Sequence, residues 1–574
     1  MRFINRRCKS DPYHRCFTES LIRVIICTNI LKLVGSNGAA RVSTSVRQVT
    51  KSSEVDERNA ALMANASAIA ALASAIEGTL GPKGLDCMLV DRFGDTTVTN
   101  DGATILDRID TNHPAARMLI KTARAQEEAV GDGTTTTTLI ASMLVSEGAA
   151  QVARGVPVVK IIEGIKLGVA EALRFIESHS KPIEGTEDET LLRVALIAAR
   201  GHKDIAELIV QAARLVGRDL LCDPGFSLAD TVLAKEGAEN EVFCGVVLDK
   251  QRVNRQMPRC VEDAKVLIVD DALEPTQIDD DALGTESGFA KHLAYREEFR
   301  SNIQKLIDMG VTFVAVAKGI DPIAEELFTD AGVFAVRRLT SKDISKLVEL
   351  TGGKTIKRAG LAKTPEELER FLGRCERVYE DERLDHIRVI GKPEARAAAV
   401  VVGASTREVR DERERIARDA AGAVQAAVRS GVVPGGGAIE VAAARHVQTV
   451  RESVKGLSAY GVEIVAAALK KPLAQIVANA GFNPLEKVEE VMLAQAQTGK
   501  WMLAVDCDSG AVADMFELGV IDPTGVKLYA IRAAAELAEA ILRINTVIRK
   551  RDESSEQSSL RAKEGEEEVT SEKR

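Results

Sequence analysis

The strongest constraint on the fold is a run of glycine, acid and hydroxyl residues that leads directly into an apolar segment. Gly131, Asp132 and Gly133 precede the threonines 134–138, and residues 139–141 are apolar. Glycines let backbone N–H groups approach an anion, and a helix that begins behind them presents its positive dipole end. A carboxylate among phosphate-binding groups suits Mg²⁺. The run therefore predicts a phosphate-binding helix start, with a simple Thr-rich N-cap as the alternative.

Three other segments have a related character. Residues 79–84 interrupt an Ala-rich helical run with a Gly-Pro-Lys-Gly turn, and residues 432–438 open another Ala-rich helix with three glycines. Residues 95–102 read as a strand that ends in Asn-Asp-Gly, which is typical of a tight hairpin turn. Each segment alone indicates only a turn or a helix entry. Together they are what a phosphate cradle assembled from both halves of a chain requires.

The order and spacing of these motifs resemble the equatorial domain of a chaperonin, and the match extends over roughly residues 42–549. The closing segment 533–544 resembles the group II branch, the thermosome and TCP-1 family, and the Ala- and Arg-rich character favours its group II-like bacterial members. The motifs that carry the resemblance are Leu80–Gly84, Asn100–Leu106, His113–Ala116, Gly131–Thr136, Pro434–Glu440 and Gly519–Pro523.

The resemblance implies an α+β multidomain chaperonin fold. It divides the chain into a mostly helical equatorial domain, a small α/β intermediate domain and an α/β apical domain with a helical protrusion that acts as a lid. Residues outside the family match would be an N-terminal extension and a disordered charged tail. The expected bounds are 1–41 (extension), 42–186 and 423–549 (equatorial), 187–249 and 392–422 (intermediate), 250–391 (apical), 276–302 (protrusion) and 550–574 (tail).

Site residues also follow from the resemblance. Asp132 would bind Mg²⁺, Asp101 would orient the attacking water, and Asp419 would be the catalytic acid on a hinge helix. Lys203 resembles a nucleotide-sensing lysine, although the loop before it departs from the family pattern. The remaining ATP-binding residues would hold the phosphates (Leu80, Gly81, Pro82, Gly133, Thr134, Thr135 and Thr136) or contact the base and ribose (Gly436 and Asp522). Thr79 and Gly131 are also expected to bind ATP.

The middle of the chain independently predicts an α/β region. Residues 265–271, 311–317 and 333–339 read as strands separated by helical stretches. No GxGxxG motif follows a strand here, which argues against a dinucleotide-binding module. In the expected protrusion, apolar residues alternate with many charges, as in a lid tip or in an ordinary surface helix pair: Ile278, Leu283, Phe289, Leu293 and Phe299.

Composition excludes several other classes of protein. The 574 residues carry a net charge of −9, and no basic, aromatic-interleaved stripe indicates nucleic acid as a partner. The central part of the sequence contains no unbroken run of about eighteen apolar residues, which is the length that a membrane span needs. The cysteines after residue 50 show no CxxC spacing, so neither zinc nor a disulfide framework is indicated. Residues 1–50 hold nine basic and two acidic residues, and an upstream translated extension is preferred there to a signal peptide.

We therefore expect a cytoplasmic, ATP-dependent molecular chaperone. It would use ATP and Mg²⁺, hydrolyse ATP, and enclose unfolded client proteins in a stacked double ring of its own copies, eight to a ring. A kinase-like metabolic enzyme is the alternative from another class, but no Walker loop or kinase signature supports it. A catalytically silent ring-forming scaffold is a third possibility, which the presence of Asp101, Asp132 and Asp419 disfavours.

Overall fold

The computed structural model describes residues 47–50, 53–55 and 58–550, apart from 93, 95, 278–284, 393, 394 and 396. The predicted extension 1–41, the tail beyond residue 550, and Ile278 and Leu283 of the predicted protrusion lie outside these residues. The chain forms two compact units. Of the described residues, those up to residue 64 and those from residue 544 onwards belong to one unit, and those between 65 and 543 belong to the other.

Helices occupy most of both ends of the described chain. In chain order they are α1 (Arg58–Ile76), α2 (Gly102–Arg108), α3 (Pro114–Val130), α4 (Thr134–Ala153), α5 (Val158–Ser178), α6 (Thr190–Ala198), α7 (Lys203–Val216), α8 (Arg218–Leu221), α9 (Glu286–Asp308), α10 (Pro322–Asp330), α11 (Ser341–Thr351), α12 (Pro365–Leu368), α13 (Arg407–Ser430), α14 (Ala438–Ser453), α15 (Ser458–Asn479), α16 (Pro484–Thr498) and α17 (Thr524–Leu542).

The strands cluster in the middle, with short pairs elsewhere. They are β1 (Arg47–Thr50), β2 (Ser53–Val55), β3 (Cys87–Val90), β4 (Thr96–Thr99), β5 (Val232–Glu236), β6 (Glu241–Phe243), β7 (Gly245–Leu248), β8 (Cys260–Val269), β9 (Phe313–Val316), β10 (Phe334–Val336), β11 (Thr355–Ile356), β12 (Gly373–Asp381), β13 (His386–Ile390), β14 (Ala399–Ala404), β15 (Val432–Pro434), β16 (Leu503–Val505), β17 (Val512–Asp514), β18 (Ile521–Pro523) and β19 (Ile548–Lys550). In the first unit, β1, β2 and β19 form one small antiparallel sheet.

The second unit contains a helical region in which α4, α5, α14, α15 and α17 pack together. Small residues allow the closest of these contacts. A Cβ on Gly164 in α5 would lie 1.9 Å from the carbonyl oxygen of Ser458, and one on Gly461 in α15 would lie 2.2 Å from that of Ile161. The two helices therefore cross backbone to backbone, a contact that only glycine permits.

A second region is built on the small sheet β5–β14–β6, against which α7 and α13 pack. Helix α13 begins with a charged half and ends in an Ala-rich half. Thr406 caps its start by accepting a hydrogen bond from the Val409 amide, and Gly431 ends it at φ 78°. Most of the Ala-rich half is buried, including Ala420, Ala421 and Ala427. One helix thus joins this small sheet to the residues described below as a candidate site.

The third region is a larger sheet in the order β10–β9–β8–β12–β13–β7, with β11 paired to β8. Strands β8, β9 and β10 are parallel, and helices connect them, as the sequence predicts. Buried apolar residues cover both faces of the sheet. Strand β7 belongs to this sheet, whereas the predicted domain boundary falls after it, at residue 250. The expected combination of a helical region and two α/β regions is confirmed.

Within the part of the chain that the structure describes, one helix is long and apolar enough to cross a membrane, judged by length and composition alone. It covers Ala60–Thr79, and 44% of its most apolar window is buried inside the protein. The core helix of a globular protein meets the same criterion.

Helix α9 covers most of the predicted protrusion but divides into two halves. Phe289 and Leu293 near its start are exposed, by 55% and 51%. Phe299 is only 5% exposed and joins the core on one face of the larger sheet with Ile303 and Leu306. The exposed part therefore ends before Phe299, within the predicted segment 276–302.

This division can be tested by comparing two phenylalanines of the same helix. Phe299→Ala should open a cavity that costs roughly 3–5 kcal/mol, and so lower the apparent midpoint of thermal unfolding. Phe289→Ala, the matched exposed control, should change that midpoint little. Equal midpoints for the two variants would contradict the assignment of Phe299 to the core.

Candidate nucleotide site

Two glycines in left-handed conformations shape the turn between α3 and α4. Gly131 ends α3 at φ 71°, and Gly133 precedes α4 at φ 86°. A Cβ on Gly133 would lie 2.7 Å from Val526 and 2.9 Å from Gln126. Side chains are therefore excluded at positions 131 and 133 by both backbone strain and lack of space. The backbone stays open at the N-terminus of a long helix, where unpaired amides favour an anion.

The threonine run serves two purposes. The hydroxyls of Thr137 and Thr138 donate to carbonyls one turn earlier, at 2.9 Å, and are buried. Thr134 and Thr135 instead direct their hydroxyls towards Gly102, where a Cβ would lie 2.9 and 2.6 Å from the two oxygens. The first threonines thus face the segment that carries Asp101, while Thr136 beside them is half-buried.

The hairpin turn predicted at Asn-Asp-Gly, the segment around Asp101, is not present in the structure, because Asp101 is the N-cap of α2. Its carboxylate accepts hydrogen bonds from the amides of Ala103 and Thr104, at 3.3 and 2.8 Å. The predicted strand is present as β4, but its partner is the earlier strand β3. Cap and turn favour the same short polar residues, so the sequence pattern fits both.

The turn 79–84 lies at the end of α1, beside α4 and α15. Thr79 is buried, and its hydroxyl donates to the Ile76 carbonyl at 2.8 Å. Gly81 adopts φ 88° against Ile476 of α15, with Pro82 next in the chain. Asn479 fixes the turn by donating to the carbonyls of residues 77 and 80, both at 2.8 Å. The position of the turn 79–84 therefore depends on α15, which comes from the other half of the chain.

Asp419 reaches the same region because α13 approaches Gly131 directly. A Cβ on Gly422 would lie 3.0 Å from the Gly131 Cα atom. One turn earlier on the helix, Asp419 lies 3.6 Å from the Arg200 guanidinium and is 14% exposed. Burial and the nearby carboxylates Glu127 and Asp101 raise the pKa of Asp419 well above its ordinary value, although two arginines oppose them.

Glu127 is a member of this cluster that the sequence analysis missed. Burial, with Asp101 and Asp132 next, raises its pKa from 4.5 to about 7. The residue lies one turn before Gly131, whose amide donates to the Glu127 carbonyl at 2.8 Å. Residues four apart share a helix face, so an acid four positions before the first glycine was the available signal.

Two arginines offset the negative charge of the cluster. Arg415 of α13 lies 3.5 Å from Asp101, and Arg200 contacts Asp419. Glu412 links the two, since it accepts a hydrogen bond from Arg200 at 3.0 Å and one from Arg415 at 2.5 Å. Arg200 adopts φ 52° in the loop before α7.

Lys203, the predicted nucleotide sensor, is not part of this group of acids and arginines. Its side chain is 77% exposed, and it pairs with Glu207 of its own helix at 3.6 Å. The cation that this loop directs at Asp419 is Arg200. A role for Lys203 at the nucleotide stays a prediction.

Asp522 and the glycine turn 435–437 form the other side of the site. A Cβ on Gly435 would lie 2.9 Å from the Asp522 carboxylate, and Gly436 adopts φ 63° near Met515. Lys527 binds the carboxylates of Asp522 and Glu440, each at 2.7 Å. Burial alone would lower the pKa of Lys527, but the two carboxylates outweigh it and raise that pKa.

Asp132 lies between these groups and is open to solvent. Desolvation by the surrounding protein atoms, with Asp522 next, raises its pKa, and the Gly133 amide and Lys527 oppose the rise. No group of three or more His, Cys, Asp or Glu side chains suited to a metal is found in the described part of the chain. Mg²⁺ is commonly held by one or two carboxylates with water and phosphate oxygens. The site fits that mode, with Asp132 as the protein ligand.

Residues 72–552 match the model of the TCP-1/cpn60 chaperonin family. The chain belongs to this family. It is 34% identical to the thermosome subunit of Pyrococcus abyssi over 83% of this chain and 89% of the relative. Its identity to the thermosome subunit of Methanopyrus kandleri is also 34%, over 85% and 92% of the two chains. The predicted relationship to group II chaperonins is confirmed, and with it the function of an ATP-dependent chaperone.

A solved structure agrees with this assignment. The crystal structure of a group III chaperonin in the open state matches with a TM-score of 0.75 and 42% identity. The match covers 86% of this chain and 99% of the other. This identity is higher than the identity to the two thermosome subunits. The placement of the present chain among the bacterial members stays a prediction.

The crowding of carboxylates predicts a pH-dependent stability. Because the pKa of Glu127 rises from 4.5 to about 7 on folding, the folded chain binds more protons than the unfolded chain between those values. Stability then falls as pH rises through that window, by on the order of 3 kcal/mol. Glu127→Gln removes this loss. From pH 5 to pH 8, the thermal midpoint of the variant should therefore rise relative to that of the unmodified protein.

Glu128→Gln is the control, because Glu128 is an exposed acid of the same helix. Its midpoint should follow that of the unmodified protein at every pH. A Glu127→Gln curve parallel to both would show that Glu127 titrates normally.

Proposed function

We propose that this chaperonin hydrolyses Mg²⁺-bound ATP at the site described above and uses the cycle to enclose non-native proteins. The observation that carries the proposal is the convergence of three distant segments. The glycine turn at 131–133, the capped helix start at Asp101 and the Asp419 face of α13 meet through Gly102 and Gly422. A phosphate cradle and a group of acids, one of them suited to Mg²⁺, are the parts that phosphoryl transfer to water requires.

The residues would divide the work as follows. The amides at the start of α4, with the Thr134 and Thr135 hydroxyls, would bind the phosphates, and Asp132 would hold Mg²⁺, which neutralises charge on the transferred group. Residues 79–82, Gly131 and Thr136 would complete the phosphate side. Gly436 and Asp522 would contact the base and ribose.

Asp101 and Asp419 would position the attacking water. A carboxylate with a raised pKa accepts a proton more readily, and crowding raises the pKa of Asp419. Glu127 supports this by sharing the negative charge of the cluster. Because Asp419 lies on the helix that also packs against the small sheet, movement of that region would assemble or open the site.

Assembly and location follow from the resemblance. Family membership implies a double ring that binds clients, and we propose eight subunits in each ring and a cytoplasmic location. We also propose that the exposed start of α9, with Phe289 and Leu293, belongs to the lid. A kinase-like enzyme is disfavoured by the family match, and a silent scaffold by the assembled acids.

Two substitutions distinguish the catalytic acid from the metal ligand. Asp419→Ala should keep ATP binding and lower the hydrolysis rate by about 10² or more, because it removes a group that positions water. Asp132→Ala should instead weaken binding of Mg²⁺-ATP itself. Calorimetric binding and single-turnover hydrolysis measure the two effects.

Asp411→Ala is the matched control, since Asp411 is an exposed acid on the same helix. It should leave binding and hydrolysis unchanged. An unaltered rate for Asp419→Ala, or normal Mg²⁺-ATP affinity for Asp132→Ala, would remove that residue from its proposed role.

The lid can be tested without disturbing the core. Replacing residues 276–295 with a Gly-Ser linker keeps Phe299 and the buried half of α9 in place. Rings should still form and hydrolyse ATP, as seen by electron microscopy and phosphate release. A denatured client should lose its ATP-dependent protection from protease. Retained protection would show that another part of the chain closes the cavity.

A further inference from the structure

A buried lysine stands between two carboxylates on the ribose side of the site. Lys527 lies in the first turn of α17, and its ammonium group is 2.7 Å from both Asp522 and Glu440. Lys527 is 8% exposed and Glu440 only 1%. Burying three charges is unfavourable unless they are paired. The arrangement therefore needs a reason beyond packing.

The contacts of Glu440 give one part of the reason for burying these charges. Apart from the ion pair with Lys527, neither of its carboxylate oxygens has a hydrogen-bond partner among the described residues. A buried carboxylate usually accepts several hydrogen bonds. This one serves only to hold Lys527, and through it Asp522.

Asp522 is clamped on two sides. The carboxylate would touch a Cβ on Gly435 at 2.9 Å, so it fills the space that the glycine leaves open. Lys527 binds the Oδ2 atom. An ionised carboxylate has about four acceptor positions, so the Oδ1 atom keeps its capacity for a ligand.

The clamp is electrostatically joined to the phosphate side. Asp522 raises and Lys527 lowers the pKa of Asp132. Val526, the residue before Lys527, lies where a Cβ on Gly133 would be, and its carbonyl accepts a hydrogen bond from Gln126 at 3.3 Å. The start of α17 is thus part of the wall that faces Asp132. Without Lys527, the negative charge of Asp522 would act on Asp132 and on the expected nucleotide without compensation.

We infer that Lys527 is a positioning residue for the nucleotide sugar: it fixes and neutralises Asp522 so that the Oδ1 atom accepts hydrogen bonds from the ribose hydroxyls. Hydroxyls of a ribose are the neutral donors that a fixed carboxylate of a nucleotide site binds. The inference rests on the proposed nucleotide site and adds how this chain selects the sugar.

The test compares Mg²⁺-ATP with Mg²⁺-2′,3′-dideoxy-ATP, which lacks the ribose hydroxyls. In the unmodified protein the dideoxy nucleotide should bind about tenfold more weakly or worse, as loss of a hydrogen bond to a charged group implies. In the double variant Lys527→Met/Glu440→Gln, which removes the cation and its buried partner together, the ratio of the two dissociation constants should fall to about one, because Asp522 is no longer fixed. A ratio that stays at the unmodified value would overturn the inference.

Two further variants keep the test decisive. Glu440→Gln alone retains an acceptor for Lys527, so the ratio of the two dissociation constants should stay at the unmodified value. A ratio of about one in this variant would contradict the proposed role of Lys527. Asp522→Ala leaves Lys527 paired with Glu440 and should collapse the ratio, even if the double variant fails to assemble. An unchanged ratio in Asp522→Ala overturns the inference. Failure of the proposed function is separate, because it would appear as absent ATP binding in the unmodified protein.

Discussion

The close contact between Gly131 and Gly422 is the constraint on which the site depends. With a Cβ-to-Cα distance of only 3.0 Å in either direction, any side chain at these positions would push α13 away from the turn. The contact brings Asp419 into electrostatic reach of Glu127 and Asp101, as the raised pKa of Asp419 indicates. One backbone approach therefore determines both the geometry and the charge of the cluster.

That crowding needs cations, and the chain supplies them on both sides. Arg200 and Arg415 face the acids at the phosphate end, while Lys527 stands between the acids on the sugar side. Glu412 links the two arginines, one from the loop before α7 and one from α13. The proposed binding of Mg²⁺ and a triphosphate would change the charge at this point and would thereby couple nucleotide state to the packing of α13 through one network.

Much of this arrangement could be predicted from local sequence. The glycine turn at 131–133, the helix behind it and the parallel strands β8 to β10 follow from residue types and periodicity that act over short distances. Asn100–Gly102 was misread because Asp101 favours a helix cap as much as a turn, and β3, rather than a following strand, pairs with β4. Phe299 lay within the predicted protrusion because the bounds of that segment came from the family resemblance, and the alternation of apolar and charged residues does not show which half of a helix meets a core.

The residues that sequence reasoning missed share one property: each acts through a partner far along the chain. Lys527 matters because of Glu440, Arg200 because of Asp419, and Glu127 because α13 returns to α3. The pairs of Lys527 and Arg200 leave no local pattern, since a single charged residue on a helix is usually solvated. Glu127 leaves only its place four residues before Gly131. Their roles arise from burial, which raises the cost of every unpaired charge. The proposed site is thus specified by motifs on its expected phosphate side and by tertiary charge pairing around its acids.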